Sequence, residues 1–321
     1  MSQEFSHTTV MLHEAVEALD IKPEGIYIDG TFGRGGHSSL ILSKLNAQGR
    51  LIAFDRDEQA IAVAKQINDP RLTLVHSEFS SMATYAKDHG LEGKIDGILL
   101  DLGVSSPQLD DASRGFSFMH KGPLDMRMNQ HAGLTAREWL YQNDEKTIAD
   151  VLWLYGEEKN SRQIARAICE RKNQVSFEEF LPDTDSLVQL IKQASRKIDK
   201  NKNPATRSFQ AIRIAVNDEL GELERVLQSS LTLLKTDGRL SIISFHSLED
   251  RLVKQFFKQQ HQGKPIPKYM PILDEHWDSE IYYSQISKAL KPSQAEIEVN
   301  PRSRSAVLRW AQRSALPVKN N

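Results

Sequence analysis

The sequence predicts an α/β protein: a doubly wound parallel sheet interrupted by an inserted, mainly helical domain. Three observations carry this. Short β-rich runs alternate with amphipathic ones from 25 to 102, helical patterning takes over from 113 to 206, and a helix followed by a strand restores the first pattern beyond 207. The sheet domain is therefore expected to comprise 1–112 and 207–321, with 113–206 inserted into it.

In chain order, strands are expected at 26–29, 51–55, 72–76 and 95–101, with helices at about 38–45, 58–66 and 82–89 between them. Gly49 and Gly90 mark the turns that follow the first and third of these helices. After Pro107, runs such as Ser113-Arg114-Gly115-Phe116 and Gly122-Pro123-Leu124-Asp125 have no period and read as an ordered loop. Thr135-x-x-Glu138 and Ser176-x-x-Glu179 have capping-box spacing, in which a hydroxyl and a carboxylate satisfy each other's orphan amides at a helix start. Further helices are expected at 148–155, stopped by Gly156, at 162–171 and at 186–198. A long helix at 219–234 turns through Thr236-Asp237-Gly238 into a strand at 239–245, and 305–310 offers a final strand. Residues 263–300, polar and containing Pro265, Pro267, Pro271 and Pro292, read as irregular.

Composition narrows the function. The chain has 321 residues with 41 Lys+Arg against 43 Asp+Glu, a formal charge of −2, and 39% of it is hydrophobic. At this length roughly 75% of the unfolded surface can be buried, which excludes a disordered tail or a small stapled scaffold. Cys169 is the single cysteine, so no intrachain disulfide forms and no oxidising compartment is required. The opening Met1-Ser2-Gln3-Glu4-Phe5-Ser6-His7 lacks the basic head and apolar core of a secretory signal. No apolar run approaches the ~20 residues of a membrane span. A cytoplasmic protein without membrane partners is expected, and any nucleic-acid affinity must come from local patches.

The most informative stretch is Ile28-Asp29-Gly30-Thr31-Phe32-Gly33-Arg34-Gly35-Gly36-His37-Ser38, a glycine-rich turn between the first strand and the first helix. A phosphate-cradling P-loop needs Lys-Ser/Thr after its last glycine, and His37-Ser38 stands there instead. The dinucleotide pattern G-x-G-x-x-G lacks its third glycine. The spacing of Asp29, Gly33 and Gly35 matches the third type of turn, that of S-adenosylmethionine (SAM) methyltransferases. An acid behind the loop suits a zwitterion bearing a sulfonium and would repel a pyrophosphate. Asp55, at the end of the second strand, is the expected acceptor for two ribose hydroxyls in either nucleotide class. Strand-end carboxylates also cap turns, so both acids have a purely structural alternative. Phe79 offers an apolar face to adenine or a core aromatic, and Asp101 ends the fourth strand where open α/β sheets place their ligands.

Lys192, Arg196, Lys197, Lys200, Lys202, Arg207 and Arg213 face only Asp199 across their interval, and Arg302 and Arg304 form a second basic site. Such clusters on a net-neutral chain suit a protein that grips RNA at one face, although a charge run is commonly just a solvated helix.

Several ordered blocks carry a family resemblance: His7-Thr8-Thr9-Val10-Met11-Leu12, the glycine loop, Asp101-Leu102-Gly103-Val104-Ser105-Ser106-Pro107-Gln108, Pro123-Leu124-Asp125-Met126-Arg127-Met128, Asn203-Pro204-Ala205-Thr206-Arg207-Ser208-Phe209, Ser244-Phe245-His246-Ser247-Leu248-Glu249-Asp250 and Asn300-Pro301-Arg302-Ser303-Arg304. From about His7 to Arg313 the chain resembles the bacterial ribosomal small-subunit RNA methyltransferase H family. The resemblance implies a class I SAM-methyltransferase, Rossmann-like fold and transfer of a methyl group from SAM to the exocyclic N4 of one cytidine in the decoding region of 16S rRNA. It places Gly35, Gly36, His37, Asp55, Phe79, Asp101 and Gln108 at cofactor-contacting positions. It transfers nothing to 263–298. The implied partner is small-subunit rRNA or the 30S subunit, recognised in part through the helical insertion, with Lys197, Lys200, Lys202, Arg207, Arg213, Arg302 and Arg304 as RNA-binding candidates. Homo-oligomerisation is left open.

Cytosine N4 is a poor nucleophile, because its lone pair is delocalised into the ring. A hydrogen-bond acceptor holding one N–H is expected at the end of the fourth strand, and Asp101 or Ser105, within the Ser105-Ser106-Pro107 turn, are the candidates. Asp101-Leu102-Gly103-Val104 departs from the Asp/Asn-Pro-Pro-aromatic pattern that many amino-methyltransferases carry there. Ser247-x-x-Asp250 approximates a capping box, which favours a structural role for His246, Glu249 and Asp250 over a catalytic one. His131, His261 and His276 lack partner spacing, so no metal site is expected. A nicotinamide-dependent dehydrogenase and a catalytically silent RNA-binding protein share parts of these patterns.

Overall fold

The computed structural model describes residues 9–195, 203–263 and 280–318. The chain divides into two compact units, one built from residues up to Gly103 together with those from Leu220 on, the other spanning Val104–Glu219.

The first unit is a seven-stranded sheet of order β3-β2-β1-β4-β5-β7-β6. Its strands are β1 Ile26–Asp29, β2 Arg50–Asp55, β3 Leu72–His76, β4 Ile95–Asp101, β5 Leu234–Ser244, β6 Tyr283–Ile286 and β7 Val307–Arg313. The first five are parallel, while β7 runs antiparallel between β5 and β6. Alternation along the strands sorts side chains to two faces. Ile28, Ile98, Leu100 and Ile242 join one cluster with residues of helices α4 Met82–Asp88, α11 Glu219–Leu233 and α12 Ser247–Gln262. Tyr27, Leu51, Leu99 and Ile243 join another with α1 Leu12–Glu17 and α2 Gly36–Lys44. Apolar residues covered on both faces are what a doubly wound sheet requires. Helix α3 Glu58–Ala64 follows β2 and is capped by Asp57, whose carboxylate accepts from the Gln59 amide.

The expected strands 26–29, 72–76 and 95–101 agree with the structure, the helices expected at 38–45, 58–66 and 82–89 differ by a residue or two at their ends, and α1 lies outside the expected elements. Strand β5 is longer than expected because Leu234 already pairs with Ile95, before the register shift that precedes Gly97. The described part of 263–300 is not irregular throughout. Tyr283–Ile286 is an edge strand on β7, and Gln294–Val299 forms a short helix, α13, started by the Ser293 hydroxyl accepting from the Glu296 amide.

The second unit packs α6 Ala136–Gln142, α7 Glu145–Gly156, α8 Ser161–Gln174, α9 Thr184–Ala194 and α10 Thr206–Val216 around one apolar cluster. Its limits fall outside 113–206, because Phe209, Ala211 and Ile212 of α10 are buried in this cluster. The Thr135-x-x-Glu138 box starts α6 as expected. Ser176-x-x-Glu179 starts only a turn; α9 begins at Asp183, whose carboxylate accepts from the Ser186 amide. As expected, α7 ends at Gly156, although it starts earlier than 148, and Glu157 takes the left-handed capping conformation. A Cβ on Gly156 would lie 2.5 Å from the Arg207 carbonyl, so this glycine lets α10 pack against α7. The aperiodic run after α5 Ser106–Asp110 is pinned from within: buried Arg114 donates to the Arg127 and Met128 carbonyls, and Asn217 bonds Met126 and Met128.

Candidate functional site

Strands β1 and β4 are neighbours, yet β1 is followed in sequence by β2 on its other side. The strand order therefore reverses between β1 and β4, which opens a crevice at their C-terminal ends. Asp29 and Asp101 end these two strands, Asp55 ends β2, and the glycine loop lies between β1 and α2.

Asp29 is fully buried beneath that loop. Its carboxylate accepts from the Thr31 amide at 3.0 Å and from the Ser38 hydroxyl at 2.6 Å. Burial pushes its pKa up to about 6, against the lowering effect of these two donors. Asp55 accepts from the Gly33 amide and the Asp57 amide, both at 2.8 Å, and so ties the turn to β2; burial raises its pKa as well.

Asp101 completes the group. Its amide donates to the Thr31 hydroxyl at 2.6 Å, and one carboxyl oxygen lies 3.9 Å from His37 Nδ1. The other oxygen is buried without a hydrogen-bond partner among the described residues. Burial, then the nearby Asp29 and Glu249 charges, hold the Asp101 carboxyl well above the usual carboxylate range. The site thus carries a concentration of carboxyl groups that gains from a cation or from hydrogen-bond donors.

The glycines divide by what they face. Gly33 and Gly35 have left-handed backbones, φ 56° and 79°. A Cβ on Gly35 would come 2.7 Å from the Phe32 ring, and one on Gly36 would collide with Thr9 Oγ1. On Gly33 it would meet only the Thr31 carbonyl at 3.9 Å, so this position has open space beside it. Buried His37 is the second residue of α2, whose first-turn amides are available to an anionic group by helix geometry. Phe79 opens a 3-10 turn, Phe79–Ser81, half-buried against the core cluster, so its ring has both a packing role and an exposed part.

Ser105 and Gln108 belong to the second unit, where they form a capping box on α5. The Ser105 amide donates to the Gln108 side chain at 2.9 Å, and the Ser105 hydroxyl accepts from the Gln108 amide at 3.5 Å. Among the basic candidates, Arg207, Arg302 and Arg304 are exposed. Arg213 is committed to Glu219 through two bonds of 2.7 and 2.8 Å. Lys197, Lys200 and Lys202 lie outside the described residues. The capping box at α12 sits one position before Ser247-x-x-Asp250: His246 is the N-cap with Glu249, while Asp250 bonds Arg309 at 2.7 Å.

Four supporting residues have roles at the site that a sequence reading does not assign. Thr31 and Ser38 lie within the glycine motif, where spacing to Asp29 is their only signal. Glu222, buried on α11, accepts from the Ser80 amide at 3.1 Å and steadies the Phe79 turn across 142 residues of sequence. Glu249 raises the charge density at Asp101 from α12. No local pattern announces Glu222, and the capping pattern that singles out Glu249 does not reveal its proximity to Asp101.

A family model described as the MraW methylase family matches residues 4–314. The chain is 52% identical over 314 residues to the ribosomal RNA small subunit methyltransferase H of Shewanella frigidimarina (strain NCIMB 400), covering 98% of this chain and 99% of that one. Among solved structures, it is similar to a SAM-dependent O-methyltransferase from Thermotoga maritima (TM-score 0.40, 10% identity, 98% of this chain and 70% of that one). It is also similar to Aeropyrum pernix fibrillarin (TM-score 0.37, 8% identity, 93% and 73%). With a strand-end acid behind a glycine turn and a full-length match in both directions, the chain belongs to the MraW methylase family.

Proposed function

We propose that this protein transfers the methyl group of SAM to the exocyclic N4 of a cytidine in small-subunit ribosomal RNA. The observation that carries the reading is the buried Asp29 directly behind the open Gly33 turn, with Asp55 and Asp101 beside it. This acid-rich crevice fits a ligand that brings a sulfonium, an ammonium and ribose hydroxyls, and would repel a diphosphate. A relative of the same length whose printed name is a small-subunit rRNA methyltransferase supports the substrate class.

When bound, SAM supplies an electrophilic methyl group, and the protein aligns donor and acceptor. Asp55 is suited to hold the ribose, the first turn of α2 to receive the carboxylate end, and Phe79 to flank the base. The unpartnered Asp101 oxygen can accept a hydrogen bond from the target amine, which localises the nitrogen lone pair, and can take the proton when the N–CH₃ bond forms. The same carboxyl can instead serve the cofactor. The base must leave its stack to reach the methyl group, which suits looped or single-stranded RNA. Arg207, Arg302 and Arg304 remain the exposed RNA-binding candidates, and the second unit is the substrate-recognition domain in this reading. No helix among the described residues is long and apolar enough to cross a membrane.

The deciding experiment offers undermodified small subunits and labelled SAM to the protein, followed by nucleoside mass analysis. N4-methylcytidine is the expected product. Thermal stabilisation by NAD and not SAM would favour a dehydrogenase, and binding of subunits without transfer would favour an RNA-binding protein.

A further inference from the structure

Residues 280–300 stand outside the motifs that point to the site, yet one of them reaches it. Glu296, on α13, accepts the Met11 amide at 2.7 Å across 285 residues of sequence. The backbone that carries this carboxylate is fixed, since the Glu296 amide donates to Ser293 Oγ at 3.1 Å and the Glu296 carbonyl accepts from the Asn300 amide at 2.7 Å.

Met11 has a left-handed backbone, φ 46°, and a side chain only 1% exposed, so the chain turns sharply where Glu296 holds it. Two residues earlier, Thr9 lies on the glycine loop. A Cβ on Gly36 would fall on Thr9 Oγ1 and within 2.9 Å of Thr9 Cβ. Gly36 opens α2, and Ser38 in the same turn donates to Asp29. The path from Glu296 to the buried acid therefore runs through Met11, Thr9, Gly36 and Ser38, all within the first unit.

We infer that Glu296 is a positioning residue for the cofactor: by gripping the Met11 amide it presses Thr9 against Gly36 and fixes the shape of the α2 entry turn. Gly36 is then required by Thr9, in addition to any contact its backbone makes with a ligand. The inference rests on the reading of this loop as the SAM site. Because the acceptor serves a backbone N–H, an amide oxygen should replace the carboxylate with little loss.

The test measures KM for SAM and kcat on undermodified small subunits, with melting temperature recorded for each variant. Glu296→Ala should raise KM for SAM about tenfold, the upper end of the scale of one lost hydrogen bond, with kcat within about twofold. Glu296→Gln should stay near the parent, as should Glu298→Ala one residue pair away on the same helix. Gly36→Ala should weaken SAM binding, and Thr9→Gly in the same chain should restore most of it. An unchanged KM in Glu296→Ala, a Gln variant as impaired as the Ala variant, or no recovery on adding Thr9→Gly would overturn the proposal. Calorimetry on the parent protein separates the two levels: if it binds no SAM, the cofactor reading fails and this proposal with it; if it binds SAM and the variants do not respond, only the positioning role is lost.

Discussion

Asp29 is a carboxyl kept where water cannot solvate its charge, so its proton is held more tightly in the folded chain than in the unfolded one. Between about pH 4 and pH 6 the native state retains a proton that the unfolded state has released, so stability must fall as pH rises through that window. A shift of about two units corresponds to about 3 kcal/mol at most. Asp29→Asn should flatten this part of the stability profile, as read by urea unfolding at a series of pH values; an unaltered slope would assign the proton elsewhere. Asp101 separates two roles. If it meets the target amine, Asp101→Asn and Asp101→Ala should leave SAM affinity within about threefold and lower single-turnover methylation by 10²–10⁴, the range of general-base catalysis. If it holds the cofactor, SAM affinity should fall first. Both acids and Asp55 were legible in the sequence, because strand-end position and glycine spacing are local properties. Thr31, Glu222 and Glu249 were not, since their roles depend on what the fold brings beside them.

Helix boundaries show how far local pattern reaches. The spacing Ser/Thr-x-x-Glu occurs at both Thr135 and Ser176, but only the first opens a helix; the chain at Ser176 makes a turn, and Asp183 takes the capping role for α9. Asp183→Ala should therefore cost about 1 kcal/mol or more, with the added loss of its 3.0 Å ion pair to exposed Lys121 contributing little. Ser176→Ala should change stability by less than about 0.5 kcal/mol. Equal effects in thermal or denaturant unfolding would contradict this assignment. At α12 the sequence signal is displaced by one residue because the cap is a histidine, an acceptor through Nδ1 that propensity tables do not favour. Gly156 ends α7 as its sequence position suggests, but its second role as a packing notch for α10 is revealed only by the neighbouring helix.

At the scale of the molecule, the alternation of strands and helices sufficed to predict the doubly wound sheet, since strands covered on both faces read as short, nearly continuous apolar runs between amphipathic helices. The strand order beyond β4 was not legible, because β5, β6 and β7 are separated by segments whose lengths carry no pairing information. The reversed β7 fills the edge of β5 along six residue pairs, from Arg239 with Gln312 to Ser244 with Val307. A chain ending at Asn300 should lose this cover, expose β5 as a bare edge and associate. Size-exclusion chromatography should show oligomers or aggregate, and calorimetry no SAM binding; a monomeric, SAM-competent truncation would show that β7 is dispensable.

The grip of Glu296 on Met11 also has a consequence in time. Asp29, Asp55 and Asp101 are encoded in the first third of the gene, but Glu296, which holds the turn at Met11, is translated near the end. If Glu296 positions the cofactor as proposed, a nascent chain that has not yet reached that residue should bind SAM more weakly than the finished protein.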